Sequence, residues 1–361
     1  DLKITGEEFP VVSDVMQAAN SSSSTADTLA AQIAVSDNGT LVRVGGGMAP
    51  RYRQQLVWVD KHGGVEPLPN LEEGAFQGPR LNSDGSRVVM IRGDMPHRVW
   101  VYDVRRKTAG SIPSPLGPTY SVLWTPDDRD IVFGAPVQGG VTLFRARADG
   151  SEEPKPLGVP GFDQFAAAWT RDGGLVYVQG DSKTKYDIWL ATPRHDGTWE
   201  TKTLVRTRGS DMYPAVSPDG RWLAYFSNES GTPQTYMQPI EGGDRIVVSD
   251  ARHADSPRWA RSGAGLRLLY ARGIPGSTPV DAELVEQALT PGGKLLPSVN
   301  VLFSVVARSL QATTPLTNFD VTPDGQRFIF VRNLDTQPAP AREMLVRENW
   351  FEELRKKALI K

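Results

Sequence analysis

At 361 residues, 35 of them glycine and 28 proline, the chain is too long for one compact core and too rich in turn-formers for long helices. This composition points to two domains or to one repetitive ring of small cores. The 40 basic and 42 acidic residues leave a net charge of −2, and no Lys/Arg-rich block of the kind that tracks a phosphate backbone occurs, so nucleic acid is not an expected partner. The lack of cysteine excludes disulfides, thiolate metal sites and a Cys nucleophile.

The chain opens at Asp1 with LKITGEEFPVV, which reads as an orphan strand over about 1–12. No Met-led basic and apolar leader stands there and no run of 18 apolar residues follows, so neither an export signal nor a membrane span is expected within this chain. A polar stretch around Ser21 to Ser24 has no apolar periodicity. A turn motif then recurs seven times: SDNG at 36–39, NSDG at 82–85, TPDD at 125–128, TRDG at 170–173, SPDG at 217–220, ARSG at 260–263 and TPDG at 322–325. The repeat is of roughly 45 residues, with an insertion before the last copy. Asp can bond its own backbone two residues on, and Gly accepts the positive φ of a tight strand-to-strand turn.

Apolar residues at alternate positions precede each turn, as Ile33 with Val35, Val122 with Trp124 and Phe319 with Val321. They predict a strand with one packed face. A second apolar run follows each turn (TLVRV, RVVMI, DIVFG, LVYVQ, WLAYF, LRLLY, RFIFV). A third comes about 15 to 22 residues past it (LVWVD, RVWVYD, VTLFRA, DIWLAT, QTYMQP, AELVEQA, EMLVRE), and a short fourth closes most copies. The expected fold is therefore all-β: a seven-bladed β-propeller of four-stranded antiparallel blades, with six blades as the alternative count. The blades start near 30, 76, 120, 163, 211, 254 and 317, and 1–361 is one propeller domain. The seventh copy lacks a fourth strand, so the N-terminal strand is expected to complete the last blade and close the ring. The terminal ENWFEELRKK predicts a short amphipathic helix over about 348–358, with Trp350, Phe351 and Leu354 packed beneath the propeller.

Read as a repeat, SPDGRWLAYFSN from Ser217 to Asn228 resembles the TolB-like propeller repeat. More narrowly, LVWVDKHGGVEPLP, YPAVSPDGRWLAYFSNESG, FDVTPDGQRFIFVRN and ENWFEEL resemble, in wording and order, the C-terminal propeller of bacterial membrane-anchored serine/threonine kinases. That resemblance implies an extracytoplasmic sensing or interaction module, periplasmic or at the cell surface. Copies three and six depart from it with TPDD and ARSG, and no kinase activity carries over to any residue of this chain.

No GxSxG elbow, HExxH, Walker or EF-hand motif occurs, so no catalytic residue is assigned. His62 and His195 sit in turns and His97 falls between strands. His253 differs, because RHADSP places it and Asp255 where the chain enters a first strand, the part of a blade nearest the central channel. The corresponding segments hold Asp163 with Gln164, Asp211 with Tyr213, and Asn318. These seven residues form the candidate mouth for a protein, peptide or small-molecule ligand. No cofactor and no metal ligand is assigned, although calcium or magnesium is the cation such a mouth would take. The turn carboxylates Asp84, Asp172, Asp219 and Asp324 stand one per blade, too far apart to share an ion. Trp124, Trp169 and Trp259 recur at equivalent strand positions, which says packing.

The expected function is a non-catalytic sensor or interaction propeller, the extracytoplasmic part of a larger membrane-tethered bacterial signalling protein. The alternatives are a lactonase- or lyase-like propeller enzyme with a divalent cation at the mouth, and the gating propeller of a prolyl-oligopeptidase-like hydrolase.

Overall fold

A computed structural model describes residues 12, 15, 17–18, 31–45, 48–49, 53–92, 98–112, 120–161, 163–181, 185–250, 252–262, 265–274, 282–305, 310–311, 317–334 and 343–359. Among the described residues the protein is all-β apart from one helix, Trp350–Leu359. Seven antiparallel sheets of three or more strands carry the seven turns, as the repeat predicts. Their first strands begin at Ile33, Phe76, Tyr120, Gln164, Asp211, Ala254 and Phe319. The chain divides into two compact units, Arg53–Leu334 and the segments Asp1–Tyr52 with Asp335–Lys361.

Several turns close on their own side chains in the same way. The leading Ser or Thr donates to the Asp two residues on, at 2.6 Å in Thr125 to Asp127 and Ser217 to Asp219 and 2.5 Å in Thr322 to Asp324. The same hydroxyl accepts the amide that starts the next strand, Asp130 N at 3.0 Å, Trp222 N at 2.9 Å and Arg327 N at 3.1 Å. The turn carboxylates are thus engaged by their own turns, and a hydrogen bond from the Thr322 hydroxyl holds Asp324 below the usual carboxylate range.

The unit Arg53–Leu334 is a closed ring of six blades. Five of its sheets run in simple sequence order from the first strand outward, from Phe76–Leu81, Tyr120–Trp124, Gln164–Trp169, Asp211–Val216 and Ala254–Ser262. In the sixth, Phe319–Val321 and Arg327–Asn333 are joined by Gln54–Asp60 and Val65–Pro67 from the start of the unit. Six separate apolar cores lie between successive sheets. The last two cores use Val57 and Val59 toward one neighbour, and Leu56 and Trp58 toward the other. The ring has no free sheet edge at its seam.

This corrects the strand assignment drawn from sequence order. LVWVD was expected as the third strand of the first copy and EMLVRE as the third strand of the seventh, and the structure exchanges them. Met344–Arg347 pairs with Leu41–Val44, Val42 opposite Val346, and with Ile33–Val35 makes the three-stranded sheet of the smaller unit. The reason is burial. Leu56 through Val59 are apolar on both faces and all buried, which suits a strand between two blades, whereas Met344 and Val346 remain 66% and 58% exposed. The proposed closing strand at 1–12 lies, but for Val12, outside the described residues, as do Ser21 to Ser24 and His97. In the smaller unit Trp350 is buried, Phe351 is 40% exposed, and the Phe351 ring lies over Gly39, where a Cβ would meet it at 2.9 Å.

Candidate functional site

The six strands that open the ring blades contact one another in a closed cycle and line the ring axis. Most carry an irregularity near the start. The register shifts between Gln77 and Arg80, Tyr120 and Val122, Met212 and Ala215, and Asp255 and Arg258. A left-handed residue marks each shift: Gly78 (φ 54), Ser121 (φ 43), Tyr213 (φ 52) and Ser256 (φ 56). Such bulges bend a strand and redirect its side chains, and non-glycine residues held there store about 1 to 3 kcal/mol each. The Tyr213 ring meets Phe226 edge-on at 5.7 Å, one contact that holds its backbone in place.

The sequence-derived mouth residues sit at these strand starts, and the structure ties most of them to their surroundings. Asn318 is buried and accepts the Gly78 amide at 2.9 Å, linking the sixth blade to the first. Gln164 is buried, and its amide donates to the Pro160 carbonyl at 2.8 Å, closing its own loop. Asp163 (φ 53) is exposed and accepts the Val141 amide at 3.2 Å. Asp211 is fully buried and accepts the Thr207 amide at 2.9 Å and hydroxyl at 3.1 Å. Burial pushes its carboxyl up, against the lowering effect of hydrogen bonds from Ser227 and Thr207. His253 Nε2 lies 2.8 Å from Asp255 Oδ2, with His253 40% exposed and Asp255 nearly buried. That bond raises the imidazole pKa above 6.5. Among the candidate residues, His253 and Asp255 meet side chain to side chain. Among the described residues no three His, Asp or Glu side chains converge as a metal site.

Beside Asp211 lies a cleft of about 410 Å³, lined by Lys185, Arg208, Gly209, Ser210, Asn228, Glu229, Ser230 and Gly231. It is formed by the loop that enters the fourth ring blade and the loop between that blade's second and third strands, with Lys185 from the third blade. Asn228 Oδ1 accepts the Ser210 amide at 2.7 Å, and Arg208 Nε donates to the Glu229 carbonyl at 2.9 Å, which fixes the floor. At Gly209 a Cβ would come within 2.3 Å of Asn228 Oδ1, so only glycine permits this approach. Glu229 is paired with Arg245 at 2.5 Å, and Lys185 and Arg208 add two cationic side chains to the lining. Sequence reading stopped at Asp211 and missed this cleft. Its only signal was the cluster RGS and SNESG flanking one blade, too ordinary in loops to single out.

No family model matches the chain. Over 86 residues it is 35% identical to Tol-Pal system protein TolB of Xanthomonas campestris, covering 24% of this chain and 19% of that protein. The structure assigned as TolB from Agrobacterium tumefaciens superposes with a TM-score of 0.61 over 80% of this chain and 99% of that one, at 18% identity. The propeller is TolB-like. The chain also shares 25% identity over 197 residues with the uncharacterized peptidase YuxL of Bacillus subtilis, 43% of this chain and 30% of that protein. The chain therefore spans less than a third of the length of these curated relatives.

Proposed function

We propose that this TolB-like propeller is a non-catalytic binding domain that takes a protein, peptide or small-molecule ligand on the loop face around Asp211. The observation that carries the reading is the cleft of about 410 Å³ beside Asp211, whose cationic rim of Lys185 and Arg208 stands on a closed six-blade ring. A rigid ring presenting polar loops suits recognition, because little order is lost when a partner docks. The same reading places the domain outside the cytoplasm, as part of a larger membrane-tethered bacterial signalling protein. Support for that location is the kinase-propeller resemblance of the sequence together with the TolB-like repeat. Among the described residues no helix is long and apolar enough to cross a membrane.

The test is capture of partners from bacterial lysate by the immobilised chain, compared with K185E/R208E and with D211A, each checked for a retained melting transition. Reversing two rim charges is expected to cut capture at least about tenfold, since each desolvated charge contact is worth roughly 1.5 to 3 kcal/mol. Equal capture by all three proteins would sink the loop-face reading.

A second reading rests on the YuxL similarity, in which the ring is the propeller of a larger peptidase. Peptide hydrolysis by the natural full-length protein, abolished by a serine-directed covalent inhibitor, is the result that would favour it over the first.

A further inference from the structure

The axis of the ring carries a charge pattern unrelated to the loop-face cleft. Five residues before the last position of each turn stand Arg80, Leu123, Ala168, Ala215, Arg258 and Asp320. Their partners across the sheet are equivalent too, Val89, Val132, Val176, Ala224, Leu269 and Ile329. Three consecutive blades thus supply small or aliphatic side chains at this level, and the next three supply Arg258, Asp320 and Arg80.

One carboxylate lies beside two guanidiniums, paired with Arg258 and close enough to act on the charge of Arg80. Asp320 Oδ1 lies 3.5 Å from Arg258 Nε, and its Oδ2 accepts the Leu81 amide at 2.9 Å. Arg80 spends Nη1 on neutral carbonyls, Pro79 at 2.7 Å and Thr317 at 3.0 Å, and Arg258 does the same with Pro257 at 3.0 Å. Both arginines follow a proline that follows a left-handed residue, in Gly78-Pro79-Arg80 and Ser256-Pro257-Arg258, so the backbone holds the two in the same pose. The Arg258 side chain is only 10% exposed, and its buried Nε makes no hydrogen bond. Ser256 Oγ is likewise buried without a hydrogen-bond partner. Among the described residues this largely buried cluster sets two guanidiniums against one carboxylate, and such an excess of charge is costly unless an anion joins it. The cost shows in Arg80, which burial first, and then the like charge of Arg258, lower to about 9.

We propose that the ring axis binds a monocarboxylate, its oxygens between Arg80 and Arg258. A single negative charge balances the cluster where a dianion would overshoot it, and the planar guanidinium fork matches a carboxylate in two parallel bonds. The carboxylate belongs either to a free short-chain acid or to the C-terminus of a peptide.

The probes are butyrate, the tripeptide Ala-Ala-Val, its C-terminal amide, inorganic phosphate, and sodium chloride at matched ionic strength. Arginine Nε–Hε resonances of the wild-type protein, assigned with R80K and R258K, report the site even if R80Q or R258Q loses the fold. The expected result is a saturable movement of the Arg80 and Arg258 signals with butyrate or the free tripeptide. It should come with a melting rise of about 5 °C at roughly one hundred times Kd, and with binding at least about tenfold weaker in R258Q. The better ligand of the two tells free acid from chain end. Arginine signals that stay fixed, a response to the amide or to phosphate equal to that for butyrate, or a rise reproduced by chloride would overturn the proposal.

Discussion

His253 is held by one short bond to a nearly buried carboxylate, so its charge is linked to the fold. Because its folded pKa is raised above 6.5 by Asp255, the stability from that pair is complete below pH 6.5 and is lost as pH rises through the folded value. Imidazole resonances followed by NMR should give His253 a pKa above 6.5, and D255N should return it toward the unperturbed value; an unchanged midpoint in D255N would leave the pairing without a role. The turn carboxylates run the other way. Asp84, Asp127 and Asp324 are depressed first of all by the hydroxyls of Ser86, Thr125 and Thr322. Their contribution stands above pH 4 and fades as pH falls through the lowered values. The tryptophans of the opening strands are equally local in purpose. The indoles of Trp124, Trp169 and Trp259 donate to the carbonyls of Arg80, Trp124 and Ala215 on the preceding blade, at 3.0, 2.8 and 3.0 Å. Packing and a cross-blade bond together account for their recurrence.

Strand partnership is where sequence and structure part company. The exchange of Gln54–Asp60 and Met344–Arg347 can be tested in a chain free of cysteine. The pair Q55C/R332C, placed on directly opposite residues, should oxidise readily and raise stability by up to about 5 kcal/mol in the chain-entropy account. R43C/Q55C, which joins strands neighbouring in sequence, should not form; the reverse outcome would restore the sequence-order assignment. Period-two alternation sets which face of a strand is packed, and the Asp-Gly turns fix where the first two strands of each sheet meet. Both were readable. A third strand with no tight turn of its own has no local marker of its partner, and only the two-sided burial of Leu56 to Val59 decides it. The candidate mouth residues lie in the segments entering the opening strands, seven to ten residues before the last position of their turns. What their side chains bond to depends on loops of unequal length, and the cleft beside Asp211 is made wholly of such loops.

At the level of the molecule, all six inter-blade cores are contained in Arg53–Leu334. A fragment of residues 53–334 should therefore fold alone and melt in one cooperative transition, with near-native far-UV dichroism; a fragment that remains unfolded would show that the ring depends on the flanking segments. The seam also decides how the ring responds to mechanical load. Gln54 pairs with Asn333, and the Leu334 amide donates to the Arg53 carbonyl at 2.8 Å, so the chain enters and leaves the ring at the same end of one antiparallel ladder. Tension applied through the two flanking segments would open that ladder like a zipper, one pair at a time from Gln54 and Asn333 toward Asp60 and Arg327, instead of shearing all seven pairs together. A ring that resists heat through six cores thus has one direction in which it parts under small force.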